Sequence, residues 1–363
     1  MPSALAFLLL PFAWVYAGVM AVRNWLYEVG WKNSEAFAVP LLNVGNLRVG
    51  GTGKTPHVAW LVEELLRQGH RPAILSRGYG RSTRGPRLAG LQDSAATVGD
   101  EPWQYQQWFA AQGVPVAVAE QRRLGVYLLL RARPEVTVIV LDDAYQHRAV
   151  RPALNILLTE WARPFYHDQV LPAGRLRESR RGARRANVVI VTKCPPELPP
   201  AAQTAITERI RAYSGPATPV LFSAYAYGPP QALRFLLEME GGNLGAAPAP
   251  VPGSALLLTG IAQPGALREY LEQQGYALQY HANLPDHHVF QRADLVALER
   301  HWQPDWPIFT TEKDATRLQA SELWAGRSGM LRATYTIPVR VAFRGNGADR
   351  LRAMLPSAGS PSA

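Results

Sequence analysis

The string Gly50-Gly51-Thr52-Gly53-Lys54-Thr55 carries the most specific chemistry in the chain. A glycine-rich turn lets backbone amides converge on phosphate oxygens, a lysine after it neutralises the β and γ groups, and a threonine hydroxyl ligates magnesium. The standard spacing Gly-x4-Gly-Lys-Ser/Thr is not met, because Arg48 stands five residues before Gly53, so context must carry the assignment. A Gly-rich turn before any helix is the bland alternative. Against it, Val136 to Leu141 is an apolar strand candidate ending in Asp142-Asp143, which sets a carboxylate beside a nucleotide's magnesium. These residues point to ATP or GTP together with Mg2+.

The elements that must position them follow from periodicity. Ala38 to Val44 reads as a strand before the loop, and Val58, Leu61, Val62, Leu65 and Leu66 line one face of a helix after it, with Gly69 as its C-terminal stop. Pro115 to Ala119, Leu154 to Leu158 and Asn187 to Thr192 read as further buried strands separated by helical or loop stretches. That alternation predicts an α/β fold of the P-loop NTPase type, a mostly parallel sheet covered by helices. Pro219 to Tyr227 and Thr334 to Phe343 alternate as paired strands would. Between them, Ala255 to Thr259, a helix over Gly265 to Gln274, and Pro307 to Thr311 predict a smaller α/β domain. The expected organisation is a membrane-associated helix (1–30), a phosphate-loop domain (31–218), a linker strand and loop (219–253), the smaller domain (254–332), a returning linker strand (333–345) and a tail without fixed order (346–363). The Gly, Ala and Pro of Gly241 to Gly253 suit a loop.

Residues 1 to 22 hold no Asp, Glu, Lys or Arg, and Ala4 to Val22 is apolar apart from Pro11 and Gly18. Nineteen helical residues reach roughly 28 Å, close to a bilayer's hydrocarbon thickness. No basic region precedes the run, so a cleaved signal peptide is disfavoured. Trp14, Tyr16, Trp25, Tyr27 and Trp31 are interfacial types, and Arg23 and Lys32 follow the run, placing the remainder on the cytoplasmic side. A buried core helix is the competing reading, and whether the segment spans or lies on the membrane stays open.

The chain carries 38 Lys plus Arg against 28 Asp plus Glu, a formal charge of +10, and only four of the basic residues are lysines. This excess suits anionic lipid, nucleotide or nucleic acid without choosing among them. The basic residues show neither zinc-finger spacing nor an aromatic ribonucleoprotein motif, so nucleic acid is not an expected partner. The single cysteine, Cys194, excludes an internal disulfide framework and a zinc site built from several thiolates.

Further strings accumulate: Val44-Gly-Asn-Leu-Arg-Val-Gly-Gly-Thr-Gly-Lys-Thr-Pro56, Ser76-Arg-Gly-Tyr-Gly-Arg81, Gly99-Asp-Glu-Pro102, Asp142-Asp-Ala-Tyr-Gln-His147, Leu171-Pro-Ala-Gly-Arg-Leu-Arg-Glu178, Asp286-His-His288 and Thr311-Glu-Lys-Asp314. With the apolar N-terminus they resemble the tetraacyldisaccharide 4'-kinase family, the lipid A 4'-kinases of Gram-negative bacteria, over about residues 5 to 320. Three departures stand out: Ala144 where the family usually has Gly, Arg175 and Ser179 where prolines are common, and Arg48 in place of a small hydroxyl residue.

The resemblance implies ATP-dependent phosphorylation of the 4'-hydroxyl of tetraacyldisaccharide 1-phosphate at the cytoplasmic face of the inner membrane. It implies a lipid substrate, an anionic membrane surface and no obligate protein partner. Gly50 to Thr55 would hold ATP, and Thr55, Asp142 and Asp143 would hold Mg2+, with Glu178 as a weaker addition. Asp100, helped by His287, would orient and deprotonate the acceptor, with Lys54 on the transferring phosphoryl. Asp100 taken alone suits a helix N-cap, and the two roles are compatible. His288 is an alternative to its neighbour that spacing does not separate. Arg77, Glu101, Arg122 and Arg123 would hold the disaccharide or its 1-phosphate, and Arg177 and His147 phosphate oxygens, while Arg175 to Arg185 would lie on anionic headgroups. Motifs on both halves imply hinge closure during turnover.

A membrane-bound phosphate-loop ATPase or GTPase switch is the competing class. It leaves the Gly99 and Asp286 strings without a role, and Thr311-Glu-Lys-Asp314 is not the guanine-specifying Asn-Lys-x-Asp. Its last residue suits an N-cap instead.

Overall fold

A computed structural model describes residues 8–233, 249–286, 288–318 and 321–357. The start of the apolar run, most of the Gly241 to Gly253 loop, His287 and residues 358–363 lie outside the described residues. The chain divides into two compact units, one of Met1–Tyr225 with Val341–Ala363 and one of Ala226–Arg340. The first part of the expected tail without fixed order is instead a helix, Gly347–Arg352, held because Leu351, Met354 and Leu355 pack on the core of the first unit.

The first unit is built on β1 (Leu41–Asn46), β2 (Pro72–Ser76), β3 (Arg87–Leu88), β4 (Val116–Val118), β5 (Val138–Asp142), β6 (Leu154–Glu160), β7 (Val188–Thr192), β8 (Val220–Tyr227) and, after the second unit, β14 (Val339–Phe343). They form one sheet in the order β14-β8-β7-β6-β1-β5-β2-β4-β3. Every pairing from β8 to β4 is parallel, and only β3 is seen antiparallel to its neighbour β4. Strands β1, β2, β5, β6 and β7 are buried throughout, so both faces are covered and their sequences run apolar without alternation.

The order fixes the location of the chemistry. After β1 the chain crosses to β2 and β4, then returns to insert β5 between β1 and β2, and continues on β1's other side with β6. Val44 therefore pairs with Asp142, and the carboxyl ends of β1 and β5 share one crevice, where open α/β sheets bind ligands.

The N-terminal helix Leu10–Glu28 buries only Ala13. Its stripe of Ala13, Tyr16, Asn24 and Tyr27 faces the unit: Tyr16 donates to the Arg177 carbonyl (3.0 Å), Asn24 Nδ2 to Glu178 (2.8 Å), and Arg148 to the Asn24 carbonyl (2.8 Å). The opposite stripe, Leu8, Phe12, Val15, Val19 and Val22, is exposed, as are Trp14, Trp25 and Trp31. No helix among the described residues is long and apolar enough to cross a membrane.

The second unit holds β9 (Gln231–Ala232), β10 (Ser254–Thr259), β11 (Ala277–Asn283), β12 (Ile308–Thr311) and β13 (Thr334–Ile337), in the order β11-β10-β12-β13-β9. The run Thr334 to Phe343, read as one strand, is two, β13 and β14, in different sheets. Pro338 divides them because it has no N–H to give either ladder. Thr311, not Asp314, is the N-cap of the turn that follows β12. Asp314 accepts from the Thr311 hydroxyl (2.7 Å) and the Gly260 amide (3.0 Å), so this string is a buried structural knot.

Two glycines allow a close approach beside the sheet's carboxyl edge. Gly99 sits at φ +97, and a Cβ there would lie 3.1 Å from the Gly78 backbone and from the Tyr79 carbonyl oxygen; at Gly78 it would lie 2.7 Å from the Val98 carbonyl oxygen. The Ser76 and Gly99 strings interlock only because both positions lack side chains. Gly99→Ala is expected to destabilise the protein by about 2–3 kcal/mol, from left-handed strain plus backbone displacement, read as a lower denaturant midpoint at unchanged slope.

Candidate active site

The phosphate loop leaves β1 at Asn46 and ends at Gly53, whose φ of +86 opens the helix Lys54–Arg67. Asn46 Nδ2 donates to the Thr52 hydroxyl (2.8 Å), and the Thr192 hydroxyl donates to the Thr52 carbonyl (2.9 Å). Lys193, itself at φ +54, donates to the Gly51 carbonyl and to Glu160. His57 hydrogen-bonds the Gly53 carbonyl through Nδ1 (2.7 Å) and the Ser223 hydroxyl through Nε2 (3.0 Å). Burial pushes its pKa down to about 4, so it serves as a neutral peg. Arg48 occupies the departure from the usual spacing: it donates to Asp168 and lies 3.5 Å from Glu160, clamping the loop's outer side. The loop's shape is thus set before any phosphate arrives.

Asp142 and Asp143 face opposite electrostatic surroundings. Asp142 is buried at the end of β5, with Oδ2 accepting from the Ser76 hydroxyl (3.0 Å) and Oδ1 buried without a hydrogen-bond partner. Burial first, and then the Asp143 charge, push its carboxyl up to about 7. Asp143 is at φ +50, which turns its side chain out of the strand line. Burial works against its ionised form, but Lys54 (3.7 Å) and a bidentate Arg177 (2.8 and 2.9 Å) outweigh it and hold the carboxyl below the usual range. The fully buried phenol of Tyr105 faces both Asp142 and Thr55; burial and the charges of Asp142 and Glu101 push it far above the usual tyrosine range. An orphaned carboxylate oxygen and a threonine hydroxyl that share the Tyr105 phenol as a neighbour fit a hard divalent cation. Among the described residues no three His, Cys, Asp or Glu groups form a metal cage, so such an ion would draw the rest of its shell from phosphate oxygens and water.

The helix Asp100–Phe109 stands beside the aspartate pair. Its N-cap is Gly99 rather than Asp100, which opens the first turn with Glu101. Glu101 is close enough to Asp142 to raise its pKa further, and Tyr105 lies one turn on from Glu101 along the same face. Arg77 is exposed, and its charge joins that of Arg122 at His147. Burial and then these two arginines push His147 down to about 4, leaving it neutral at pH 7.

Two expected ligands are placed otherwise. Arg122 is only 2% exposed; its terminal nitrogens donate to the carbonyls of Ala119 (2.7 Å), Asp142 (3.1 Å) and Asp143 (3.4 Å), and its Nε is buried without a hydrogen-bond partner. It braces the aspartate pair from behind, because a guanidinium that deep has no surface to offer a sugar. Glu178 is 1% exposed; its Oε1 accepts from Arg185 (2.7 Å) and Gln146 (3.0 Å), and its Oε2 from Asn24 (2.8 Å) and Arg185 (3.0 Å). With every lone pair directed at a donor, it acts as a strut and not as a metal ligand. Arg123 stays half exposed, 3.7 Å from Glu35. Within Arg175 to Arg185, Arg177 and Arg185 turn inward to Asp143 and Glu178, so the basic surface is narrower than its sequence suggests. In the second unit His288 Nε2 is paired with Asp294 (2.8 Å) and Asp286 with Lys313 (3.2 Å). Sequence reasoning missed Tyr105, Lys193 and Glu160; only the Glu101–Tyr105 spacing on one helix face signalled any of them.

The model of the family described as tetraacyldisaccharide-1-P 4'-kinase matches residues 5–357. The chain is 42% identical over 322 residues to the tetraacyldisaccharide 4'-kinase of Bacteroides thetaiotaomicron, covering 85% of this chain and 82% of that one. It is 39% identical over 337 residues to the enzyme of the same name from Flavobacterium johnsoniae, covering 93% and 92%. Its fold matches the crystal structure of LpxK from Aquifex aeolicus in complex with ATP at a TM-score of 0.73, 25% identity, and 96% and 98% coverage. A phosphate loop, a split-charge aspartate pair and a match along nearly the whole chain agree, and the chain belongs to the tetraacyldisaccharide 4'-kinase family.

Proposed function

We propose that this protein transfers the γ-phosphoryl group of ATP to the 4'-hydroxyl of a tetraacyldisaccharide 1-phosphate held at the cytoplasmic face of the inner membrane. Beyond family membership, the observation that carries a lipid acceptor is mechanical. The helix that exposes an apolar stripe is hydrogen-bonded through Asn24 and Tyr16 to Glu178 and Arg177, and Arg177 grips Asp143. Membrane contact and phosphoryl chemistry are parts of one body.

The loop amides from Gly50 to Thr55 bind the phosphates, and Lys54 neutralises charge on the transferring group. Thr55 and Asp142 would hold magnesium, with Asp143 fixing Lys54 and Arg177 around it; the ion would neutralise the developing phosphate charge. Asp100, at a helix N-terminus and assisted by His287, accepts the 4'-hydroxyl proton as the new P–O bond forms and the bond to the leaving ADP oxygen breaks. Glu101 and Arg77 face the sugar side.

Transfer of labelled γ-phosphate to tetraacyldisaccharide 1-phosphate in detergent micelles tests this reading. Wild type is expected to label the lipid. Lys54→Ala should lower kcat by about 10^3-fold and Asp100→Ala by about 10^2- to 10^4-fold, with thermal stability retained. ATP hydrolysis without labelled lipid would make the chain a nucleotide switch.

The Asp142 environment sets a pH dependence. Its folded pKa of about 7 lies above the ordinary 3.8, so the free protein binds a proton that the unfolded chain releases, and this group's contribution to stability falls as pH rises from about 4 through about 7. Metal binding needs the ionised form, so the Mg2+ concentration for half-maximal rate should drop between pH 6 and 8 and level off above. A profile as steep in Asp142→Asn would assign the titration to another group.

A further inference from the structure

We propose that the cavity at the foot of the N-terminal helix binds the phosphate-bearing headgroup of an anionic membrane phospholipid. The inference rests on the membrane placement of that helix argued above. The cavity encloses about 500 Å3 between the helix end, the Gly30–Ser34 turn, the 144–152 loop and Arg185. That volume is ample for a phosphoglycerol group.

Its lining is cationic. Lys32, Arg148, Arg151 and Arg185 face it, against the single lining carboxylate of Glu28. Arg185 is neutralised from behind by Glu178, and Arg148 is 3.5 Å from Glu28, whose side chain is largely exposed. Among the described residues no carboxylate lies within ion-pair distance of Lys32, whose ammonium stands 5.9 Å from the centre of the Tyr27 ring, or of Arg151, so neither charge has an acidic partner. Partial burial and the neighbouring Arg185 already lower the pKa of Arg148, the mark of a site where like charges crowd. A phosphodiester would relieve that crowding with charge-assisted hydrogen bonds.

The surroundings give the depth. Val29 and Trp31, the latter 84% exposed, alternate in sequence with the lining residues Glu28, Gly30 and Lys32, and Trp25 stands one turn earlier on the helix. Tryptophan in this position settles at headgroup level, where phospholipid phosphates lie, and the apolar stripe continues from there toward Leu8. None of Lys54, Thr55, Asp100, Asp142 or Asp143 lines the cavity, although Ala144, Tyr145 and His147 of the string that follows the aspartates do, so it lies next to the phosphoryl-transfer site and not in it.

The test is full-length protein binding to phosphatidylcholine vesicles with and without phosphatidylglycerol, comparing wild type with Lys32→Glu/Arg151→Glu and with Arg209→Glu/Arg350→Glu, a control pair of exposed arginines on other helices. Each cation at an anionic surface is worth about five-fold in partitioning. The phosphatidylglycerol increment should therefore fall at least about 25-fold in the Lys32/Arg151 variant and about three-fold or less in the control, with equal melting temperatures. No binding of wild type to either vesicle would remove the membrane placement itself. Binding without a phosphatidylglycerol increment, or an equal loss in the control, would overturn the site while leaving that placement intact. Two results would reassign the cavity if the increment survives. A raised KM for the acceptor in neutral micelles would give it to the substrate's own 1-phosphate. A rise in melting temperature with millimolar inorganic phosphate, lost in the variant, would give it to a soluble anion.

Discussion

Two adjacent carboxylates at the end of β5 cannot both ionise cheaply in a buried crevice, and the rest of the first unit is arranged around that conflict. Asp143 is made the ionised partner by Lys54 and by the two-point grip of Arg177. Asp142, with a serine hydroxyl on one oxygen, the Tyr105 phenol facing it and its other oxygen without a hydrogen-bond partner, holds a proton more tightly. Arg122 adds positive potential behind both without touching either carboxylate, because it reaches only their backbone carbonyls. The β1–β5 register brings this pair beside the phosphate loop, so local electrostatics and sheet topology are one constraint.

That constraint extends to the N-terminal helix. Arg177 holds Asp143 through its side chain, while its own carbonyl accepts from Tyr16 on the N-terminal helix and its amide donates to Leu47 at the start of the phosphate loop. One residue thus touches the helix, the loop and the aspartate. Glu178 beside it completes the joint, with Arg185 satisfying its charge and Asn24 and Gln146 its remaining lone pairs. A buried, fully satisfied network of this sort contributes register and orientation more dependably than net stability.

The phosphate loop, the central strands and the aspartate pair were legible because they depend on local signals: glycines before a lysine, apolar runs of strand length, and acidic residues at a strand end. Strand ends differed by one to three residues where a proline or a polar terminus blurred the edge, as with Ala38 against the observed start at Leu41. Arg122 and Glu178 were misread because motif membership marks a residue as important without revealing which side of the wall it stands on. Only three-dimensional burial separates a ligand from a strut. Arg48 was a blank in the sequence for the same reason: its partners Asp168 and Glu160 lie more than a hundred residues away.

The scarcity of lysine sharpens the picture. An arginine-dominated chain keeps ammonium groups at four positions, and each has a definable task. Lys54 meets Asp143 beside the phosphate loop, Lys193 spans Gly51 and Glu160 on the loop's other side, Lys32 faces the cationic cavity, and Lys313 pairs with Asp286 next to His287 in the second unit. A compact point charge on a flexible stem fits beside a phosphate or a carbonyl where a planar fork would demand bidentate geometry. Where planar geometry is wanted, at Asp143 and Glu178, the chain uses Arg177 and Arg185, each bound through both of its terminal nitrogens. A compositional drift toward arginine would not by itself reproduce that division of labour, so shape at each contact, and not positive charge alone, accounts for which cation stands where.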